Sequence, residues 1–292
     1  MKHVALLLER LAMDRLTRIV DVGANPINRQ AYADLRDMGG CQTIGFEPGP
    51  ESFAALQQSL GPNETCFPHA VGDGSEIELQ LAVGGTLTSV FKPDLAAVTY
   101  LGKPNWADLE GSLKLKTVAL DTMDGMPNFD LMKIDIQGGE LAVFQGAETL
   151  MKSCMAVIVE QRFFPIYQGE PMIGGLDVEL RRQGFYIHKI LSTHSVFVPN
   201  SRAKRLNRPQ LRDQLVDGDI VYLRDMSKLS EHPTDQVKHL CILAASVFSS
   251  HSLVLHLLDD LVRRGAIAAD LPDAYCDALP AAVLRVKKPK RK

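Results

Sequence analysis

The sequence lacks the cysteine patterns that accompany disulfide frameworks and structural zinc sites. Its 292 residues contain five cysteines, an odd number, scattered along the chain without a C-x-x-C pair. Small secreted domains and zinc ribbons use paired, closely spaced cysteines. The sequence therefore argues against both classes and predicts a cytoplasmic protein with reduced thiols. No spacing of His, Cys and Asp matches a metal site, so no bound metal is expected.

A strong net charge is missing too. The 32 basic and 35 acidic residues leave a formal charge of −3, which indicates neither nucleic acid nor an anionic membrane as a partner. The basic end, residues 285–292, is expected to be a solvated tail, disordered over 287–292, and not an arm that binds nucleic acid. The first ten residues are interrupted by Glu9 and Arg10 and lack a cleavage site, so no secretory signal is expected.

Long uninterrupted apolar runs are also missing. The most apolar stretch, residues 239–258, contains three histidines and four serines, which are costly inside hydrocarbon. We therefore expect this stretch to form a buried or interface helix and not a membrane span.

Two of the three glycines of a dinucleotide-binding fingerprint are missing as well. Residues 18–25 read R-I-V-D-V-G-A-N, an apolar run that predicts a buried strand followed by a turn at Gly23. A pyrophosphate would find little bare backbone there, which argues against a nicotinamide-dependent oxidoreductase. S-adenosylmethionine needs less, because strand-end carbonyls and Asp21 can hold its ammonium group and backbone amides its carboxylate. Asp21 could instead cap the following helix.

A second apolar run ends in an acidic residue at the spacing that a ribose contact requires. Residues 43–48 read T-I-G-F-E-P and place Glu47 after a predicted strand, roughly 20 residues past the glycine turn. Ligands of open α/β sheets bind at the carboxyl ends of strands, where an acid can accept hydrogen bonds from both ribose hydroxyls. The alternative is an exposed acid in a turn set by Pro48 and Pro50.

Two later strands also end in carboxylates that are expected to face the same crevice. Asp135 follows the strand in L-M-K-I-D-I-Q-G-G-E, and Glu160 ends the strand 155–160. Each is a candidate to orient the substrate or to accept a hydroxyl proton, and His188 and His194, near later strand ends, are further candidate bases. Glu160 could instead pair with Arg162, and each histidine could be an ordinary surface or core residue.

The order of the predicted elements indicates the fold class. Strands and helices alternate as far as residue 223, which predicts an α/β protein with a Rossmann-like, doubly wound and mainly parallel sheet whose late strands pair antiparallel. Within it we expect helices over 4–16 and 138–151 and strands over 64–71 and 113–120. From residue 234 onward the pattern is nearly all helical.

This change of pattern predicts the domain organisation. Residues 1–226 should form the cofactor-binding domain, with an N-terminal helix over 1–17. Residues 227–286 should form a helical extension packed on it, followed by the tail.

Four short motifs, in order, resemble those of the FkbM-type family of S-adenosylmethionine-dependent methyltransferases. They are D-V-G-A-N from Asp21, G-F-E-P from Gly45, A-V-G-D from Ala70 and K-I-D-x-x-G-x-E from Lys133. The resemblance implies a class I methyltransferase fold, S-adenosylmethionine as cofactor and, usually, O-methylation of a sugar or natural-product hydroxyl. The cofactor contacts that we expect, with Ala70 and Val71 beside the adenine, are Asp21, Gly23, Ala24, Asn25, Glu47, Pro48, Ala70, Val71, Asp135 and Gln137.

Two positions depart from the pattern that the chain resembles. Ile27 and Gln137 stand where many members of the family have Gly and Glu. They motivate an alternative, a cofactor-binding but inactive scaffold that acts through its C-terminal helices. The expectation that we carry forward is an O-methyltransferase with a small-molecule acceptor, and the apolar C-terminal helices leave a homodimer open.

Overall fold

The structure, a computed structural model, describes residues 1–24 and 29–285. Short runs rich in β-branched and other apolar residues form its strands. These are β1 (Thr17–Val22), β2 (Cys41–Phe46), β3 (Glu64–Phe67), β4 (Glu76–Ala82), β5 (Leu109–Lys116), β6 (Leu131–Ile134), β7 (Ala156–Arg162), β8 (Phe185–Ile190), β9 (His194–Val196) and β10 (Gln214–Arg224).

Eight of these strands form one sheet in the order β3-β2-β1-β6-β7-β10-β8, with β9 also paired to β10. Strands β1, β6 and β7 are parallel, and so are β2 and β3. Strand β10 runs antiparallel to its neighbours β7 and β8. The central strands are almost fully buried, as expected where helices cover both faces of a parallel sheet. The predicted Rossmann-like α/β class is confirmed.

Strands β4 and β5 form a separate two-stranded antiparallel sheet. Most side chains of β5 are exposed, so this hairpin adds little to the core.

Helices lie in both halves of the chain. Their bounds are α1 (Lys2–Arg10), α2 (Ala33–Asp37), α3 (Pro50–Ser59), α4 (Leu95–Tyr100), α5 (Glu140–Gln145), α6 (Glu148–Met151), α7 (Ile173–Arg182), α8 (Thr234–Ser246), α9 (His251–Arg263) and α10 (Leu271–Asp277). Phe144 of α5 and Leu180 of α7 are fully buried and belong to the same core cluster as the side chains of the central strands. This packing fixes the sheet whose carboxyl edge carries the candidate site.

Several predicted element bounds are wrong, each for a local reason. The helix predicted over 138–151 is two short helices, α5 and α6, because Gly146 lies against the backbone of Gly72 where a Cβ would clash. The helix predicted over 4–16 ends at Arg10, since Ala12 adopts a left-handed backbone conformation with φ +46°.

Two predicted strands are also displaced. The strand predicted over 64–71 ends at Phe67 because Pro68, which follows, has no N–H to donate to the sheet. The strand predicted over 113–120 lies at Leu109–Lys116 instead. Both corrections leave the order of the elements unchanged.

By their internal contacts the residues group into two compact units. The first comprises residues 1–17, 30–40 and 228–292, and its described elements are α1, α2, α8, α9 and α10. Leu7, Leu240 and Leu257 of this unit are fully buried. Arg10 donates to both carboxylate oxygens of Asp270, at 3.0 and 2.7 Å.

The second unit comprises residues 18–29 and 41–227 and carries the sheet from Arg18 onward. Besides the main core it has a smaller apolar cluster that includes Val98, Tyr167, Val196 and Val216. The domain boundaries predicted above, near 226 and 286, stay a prediction, and residues 286–292 of the basic tail lie outside the described residues.

Candidate active site

Carboxylates collect at the carboxyl edge of the parallel strands. Asp21 of β1 stands directly opposite Lys133 of β6. The ammonium Nζ of Lys133 lies 3.5 Å from Oδ1 of Asp21 and 3.9 Å from Oδ2 of Asp135, two residues further along. Side chains two residues apart point the same way from a strand, so one lysine holds both acids. Glu47 follows the end of β2.

The turn after β1 is fixed by the chain itself. Gly23 has φ +83°, and a Cβ there would collide with the carbonyl of Asp135. The amides of Gly23 and Ala24 both donate to the carbonyl of Phe46, at 3.0 and 3.1 Å. This close approach of two backbone segments is enough to explain why a glycine stands here, and no ligand needs to be invoked. Asn25 lies outside the described residues.

Glu47 is buried, with 8 % of its surface exposed. Its Oε1 accepts a hydrogen bond from the amide of Gly49 at 2.8 Å, while Oε2 has no such partner in residues 1–24 and 29–285. Burial raises the pKa of the Glu47 carboxyl, the Gly49 amide opposes the rise, and the charge of nearby Asp21 adds to it. A carboxylate with one oxygen fixed and one open can accept a ribose hydroxyl. Pro48 follows it, half-buried.

The expected adenine side lies beyond β3. The carbonyl of Ala70 accepts from the amide of Val118 at 2.8 Å, and Val71, which is buried, forms an isolated bridge with the same residue. The rings of Phe67 and His69 are stacked at 6.4 Å between centroids. The flat apolar surfaces here are of the kind an adenine ring can contact.

Gln137 is the centre of a hydrogen-bonded group at this edge. Its Nε2 donates to Oδ1 of Asp135 at 3.0 Å and to Oε2 of Glu160 at 2.6 Å. Its Oε1 accepts from Nη2 of Arg162 at 2.9 Å and from the hydroxyl of Tyr167 at 3.2 Å. All the hydrogen-bonding capacity of the carboxamide is therefore used.

The backbone at Gln137 is held in an uncommon conformation, with φ +59°. Ser89 donates to the Gln137 carbonyl at 2.5 Å. Glu140, which is buried, accepts from the amides of Ile136 and Gly138, both at 3.1 Å. Burial raises the pKa of the Glu140 carboxyl against these bonds. Glu140 thus holds the loop in shape.

Arg162 extends the group from β7 to β10. Its guanidinium pairs with Glu160 at 3.3 Å, with Glu170 at 3.3 Å and with Asp217 at 2.9 Å. Asp217 and Asp219 of β10 stand opposite Arg162 and Glu160 in the antiparallel register. The ion pair that was the alternative reading of Glu160 is therefore present, within a larger network.

Burial and neighbouring charges shift the pKa values of two groups in this network. Burial raises the pKa of Glu160 well above the usual carboxyl range, the charge of Asp135 raises it further, and Arg162 opposes the rise. Burial would lower the pKa of Lys133, but attraction to Asp21 and Asp135 outweighs it and the pKa stands above its usual value. Both cations of the network therefore stay charged.

The two predicted histidines differ in their surroundings. His194 begins β9, and its Nδ1 lies 3.4 Å from Oδ2 of Asp217, which places it in the network. It also lines a groove of about 810 Å³ formed from the segments 101–103, 194–204 and 208–212. His188 lies in β8 at a shift of register, and much of its side chain is exposed. The burial of the rest of its side chain, together with the charge of Lys189, lowers its pKa.

The network is acidic on balance, which suits a cationic ligand. Its members are the acids Asp21, Asp135, Glu160, Glu170 and Asp217 and the bases Lys133 and Arg162. An adenosyl sulfonium with an amino acid ammonium is such a ligand, so the residues present fit S-adenosylmethionine. The assignment of individual residues as cofactor contacts stays a prediction.

Sequence reasoning missed the parts played by Lys133 and Asp217, and it gave Arg162 only as an alternative partner of Glu160. The pairing of Arg162 with Glu160 could be foreseen, because the two lie two residues apart on one strand and share its face. Asp217 carried no such signal, since its place depends on the partner and register of β10.

The strand order, the antiparallel β10 and the acidic carboxyl edge define a class I, Rossmann-like methyltransferase that uses S-adenosylmethionine. More particularly, the chain belongs to the FkbM methyltransferase family, whose domain, described as "Methyltransferase FkbM domain", matches residues 21–187.

Two curated relatives are similar over about half of the chain. A protein named 2-O-methyltransferase NoeI, from Sinorhizobium fredii, is 24% identical over 180 residues, 55% of this chain and 70% of that protein. Hexuronic acid methyltransferase AglP, from Haloferax volcanii, is 27% identical over 161 residues, 54% of this chain and 60% of that protein. The match to AglP thus spans less than two thirds of its length.

Among solved structures, magnesium protoporphyrin IX methyltransferase from Synechocystis PCC 6803 is 11% identical, with 76% of each chain covered and a TM-score of 0.39. A TM-score this low supports no conclusion about this chain, whose fold class rests on its own strand order.

The described residues contain neither a candidate membrane span nor a candidate metal site. In 1–24 and 29–285, no helix has both the length and the apolar character to cross a bilayer. The same ranges contain no group of three or more His, Cys, Asp or Glu side chains placed to bind a metal ion.

Proposed function

We propose that the protein methylates a hydroxyl oxygen of a sugar-type small molecule. The observation that carries this proposal is the placement of His194, whose Nδ1 is oriented by Asp217 and which lines the 810 Å³ groove beside the acidic edge. A carboxylate that fixes one nitrogen of an imidazole leaves the other to accept a proton. The names of the relatives, a 2-O-methyltransferase and a hexuronic acid methyltransferase, support a sugar acceptor.

The cofactor, when bound, would supply an electrophilic methyl group to a hydroxyl oxygen in line and would leave as the thioether, keeping the electron pair of the broken sulfur–carbon bond. The residues of the chain then have three tasks: to hold the reactants in line, to exclude water and to take up one proton. As the oxygen–carbon bond forms, the hydroxyl proton passes to Nε2 of His194.

We assign the candidate bases Asp135 and Glu160 to positioning. The oxygens of Asp135 and Glu160 already accept hydrogen bonds from the Gln137 amide, and Arg162 pairs with Glu160. These contacts hold both carboxylates within the network, where they position their neighbours.

The test is a transfer assay on the full chain. The protein is incubated with S-adenosylmethionine and a panel of neutral and acidic saccharides, and products that gain one methyl group are detected by mass spectrometry. We expect His194→Gln to lower kcat by about 100-fold, the usual range for loss of a general base. Exposed His256 of α9 provides the matched control, His256→Gln, which should leave kcat unchanged.

Two results would contradict the proposal. One is the absence of methylated product with every acceptor from a folded protein that binds the cofactor. The other is methylation at nitrogen or carbon instead of oxygen. Full activity of His194→Gln would reject only the choice of base.

A further inference from the structure

The groove beside His194 is lined by positive charge. Its lining contains Lys103, Lys204, Arg208 and Arg212 and includes no Asp or Glu. Throughout residues 1–24 and 29–285, no carboxylate forms an ion pair with any of these four side chains. Four basic side chains are thus gathered in one concave surface.

Aromatic contacts order two of these cations. The guanidinium of Arg208 lies 5.7 Å from the centre of the Phe197 ring, and Nζ of Lys103 lies 5.7 Å from that of Trp106. Cation–π contacts of this length restrict long side chains that would otherwise sample many rotamers. The charges are thus partly preorganised, which lowers the entropic cost of binding an anion.

The backbone segments that form the wall of the groove pack closely against each other. Gly102, with φ +71°, lies against the ring of Pro199 where a Cβ would clash, so the segments after α4 and after β9 meet there. Val196 and Val216, below, belong to the small apolar cluster that also contains Tyr167. Tyr167 in turn donates to Gln137. The groove and the acidic network are therefore both in contact with this small apolar cluster.

The groove includes the proposed base, His194, in its lining. His194 lines the groove and contacts Asp217, which Arg162 ties to Glu160. A molecule in the groove with a hydroxyl at His194 would extend its remaining groups toward Lys204, Arg208 and Arg212. The volume of about 810 Å³ is in the range of small-molecule sites.

We propose that this groove binds an acceptor saccharide that carries an anionic group, a carboxylate or a phosphate, and that Lys204, Arg208 and Arg212 hold that group. This inference rests on the proposed function, since it names the acceptor class of the same site. Charge-assisted hydrogen bonds to such an anion are stronger than those to neutral hydroxyls. The division of charge is consistent: the cationic cofactor belongs to the acidic edge and the anionic acceptor to the basic groove.

The test measures binding separately from turnover. The full chain, saturated with S-adenosylhomocysteine, is titrated by calorimetry with a galacturonic acid trimer, with glucose 1-phosphate and with the neutral counterparts maltotriose and glucose. The variant is Arg208→Gln combined with Lys204→Gln. The matched control is Lys152→Gln, an exposed lysine just after α6, near the amino end of β7.

We expect at least one anionic probe to bind about tenfold more tightly than its neutral counterpart, in line with one charge-assisted hydrogen bond. The double variant should lose this preference and the control should keep it. Comparison of the two anionic probes tells a carboxylate from a phosphate. Raising the salt concentration should weaken anionic binding only.

Equal binding of neutral and anionic probes, or unchanged anionic preference in the double variant, would overturn the inference. Neither result depends on turnover. A failure of the proposed function would instead appear as absent methyl transfer in a protein that still prefers the anionic probe.

Discussion

The carboxamide of Gln137 has a place that no carboxylate could fill. It donates to Asp135 and Glu160 and accepts from Arg162 and Tyr167. An amide group can donate hydrogen bonds to both acids and accept one from the guanidinium. The contacts of its neighbours thus account for the residue that departs from the pattern of many family members.

Gln137→Glu should therefore be harmful, although it is conservative in shape. It replaces the amide that donates at 2.6 Å to Glu160 with a further negative charge. Loss of these buried bonds should lower the free energy of unfolding by about 1–3 kcal/mol. The measurement is a urea titration at neutral pH, with Gln58→Glu on the exposed face of α3 as control. Equal stability of the two variants would contradict the contact pattern.

At the scale of elements, the direction of β10 builds the site. Because β10 runs against its neighbours, its first half lies where β6 and β7 end, and Asp217 and Asp219 join the acids of β7. The alternation of elements predicted the parallel strands and the acids at their ends. It also predicted antiparallel late strands, as β10 is, but it could not predict Asp217, since the partner and register of a late strand are decided by long-range packing.

Prediction from local sequence was also wrong where a single residue interrupts a helical pattern. The periodicity over 138–151 is helical throughout, yet the close approach of Gly146 to Gly72 divides it. The carboxylate of Asp121 then caps the start of α6, because it accepts hydrogen bonds from the amides of Thr149 and Leu150 at 2.7 and 2.9 Å. Contacts between distant parts of the chain are invisible to periodicity.

Arg162 links β7 to β10, and its loss should have a cost that depends on pH. Arg162→Gln leaves three carboxylates without their cation, which for buried pairs costs about 3–5 kcal/mol. Arg162 holds down the pKa of Glu160, which burial raises. Without it the pKa rises further above the unfolded value, so the native state binds more protons and loses stability as pH increases.

The stability deficit of Arg162→Gln should accordingly be larger near pH 8 than near pH 5. Urea titrations at the two pH values measure it, and Arg181→Gln is the control, because Arg181 is half-exposed and forms an ion pair with Asp177. A deficit that is the same at both pH values, or that grows toward acid, would contradict the role given to Arg162.

At the scale of the whole molecule, the net charge of −3 conceals two surfaces of opposite sign. Acidic side chains lie at the carboxyl edge and basic side chains in the groove, and the net charge of the chain reveals neither group. The composition, which indicated neither nucleic acid nor an anionic membrane as a partner, could not reveal a local basic surface. The apolar side chains that left a homodimer open, such as Leu240 and Leu257, are fully buried within one chain. A homodimer would need another surface and stays a prediction.

The central claim is that the carboxyl edge, with Asp21, Glu47 and Asp135, binds S-adenosylmethionine. The most direct test is calorimetric titration of the full chain with S-adenosylmethionine, alongside Glu47→Gln and the control Glu51→Gln, an exposed acid in the first turn of α3. We expect saturable binding by the wild type and the control, and binding about tenfold weaker or more by Glu47→Gln, since charge-assisted bonds to ribose are lost. Absence of binding by the folded wild type, or equal binding by Glu47→Gln, would contradict it.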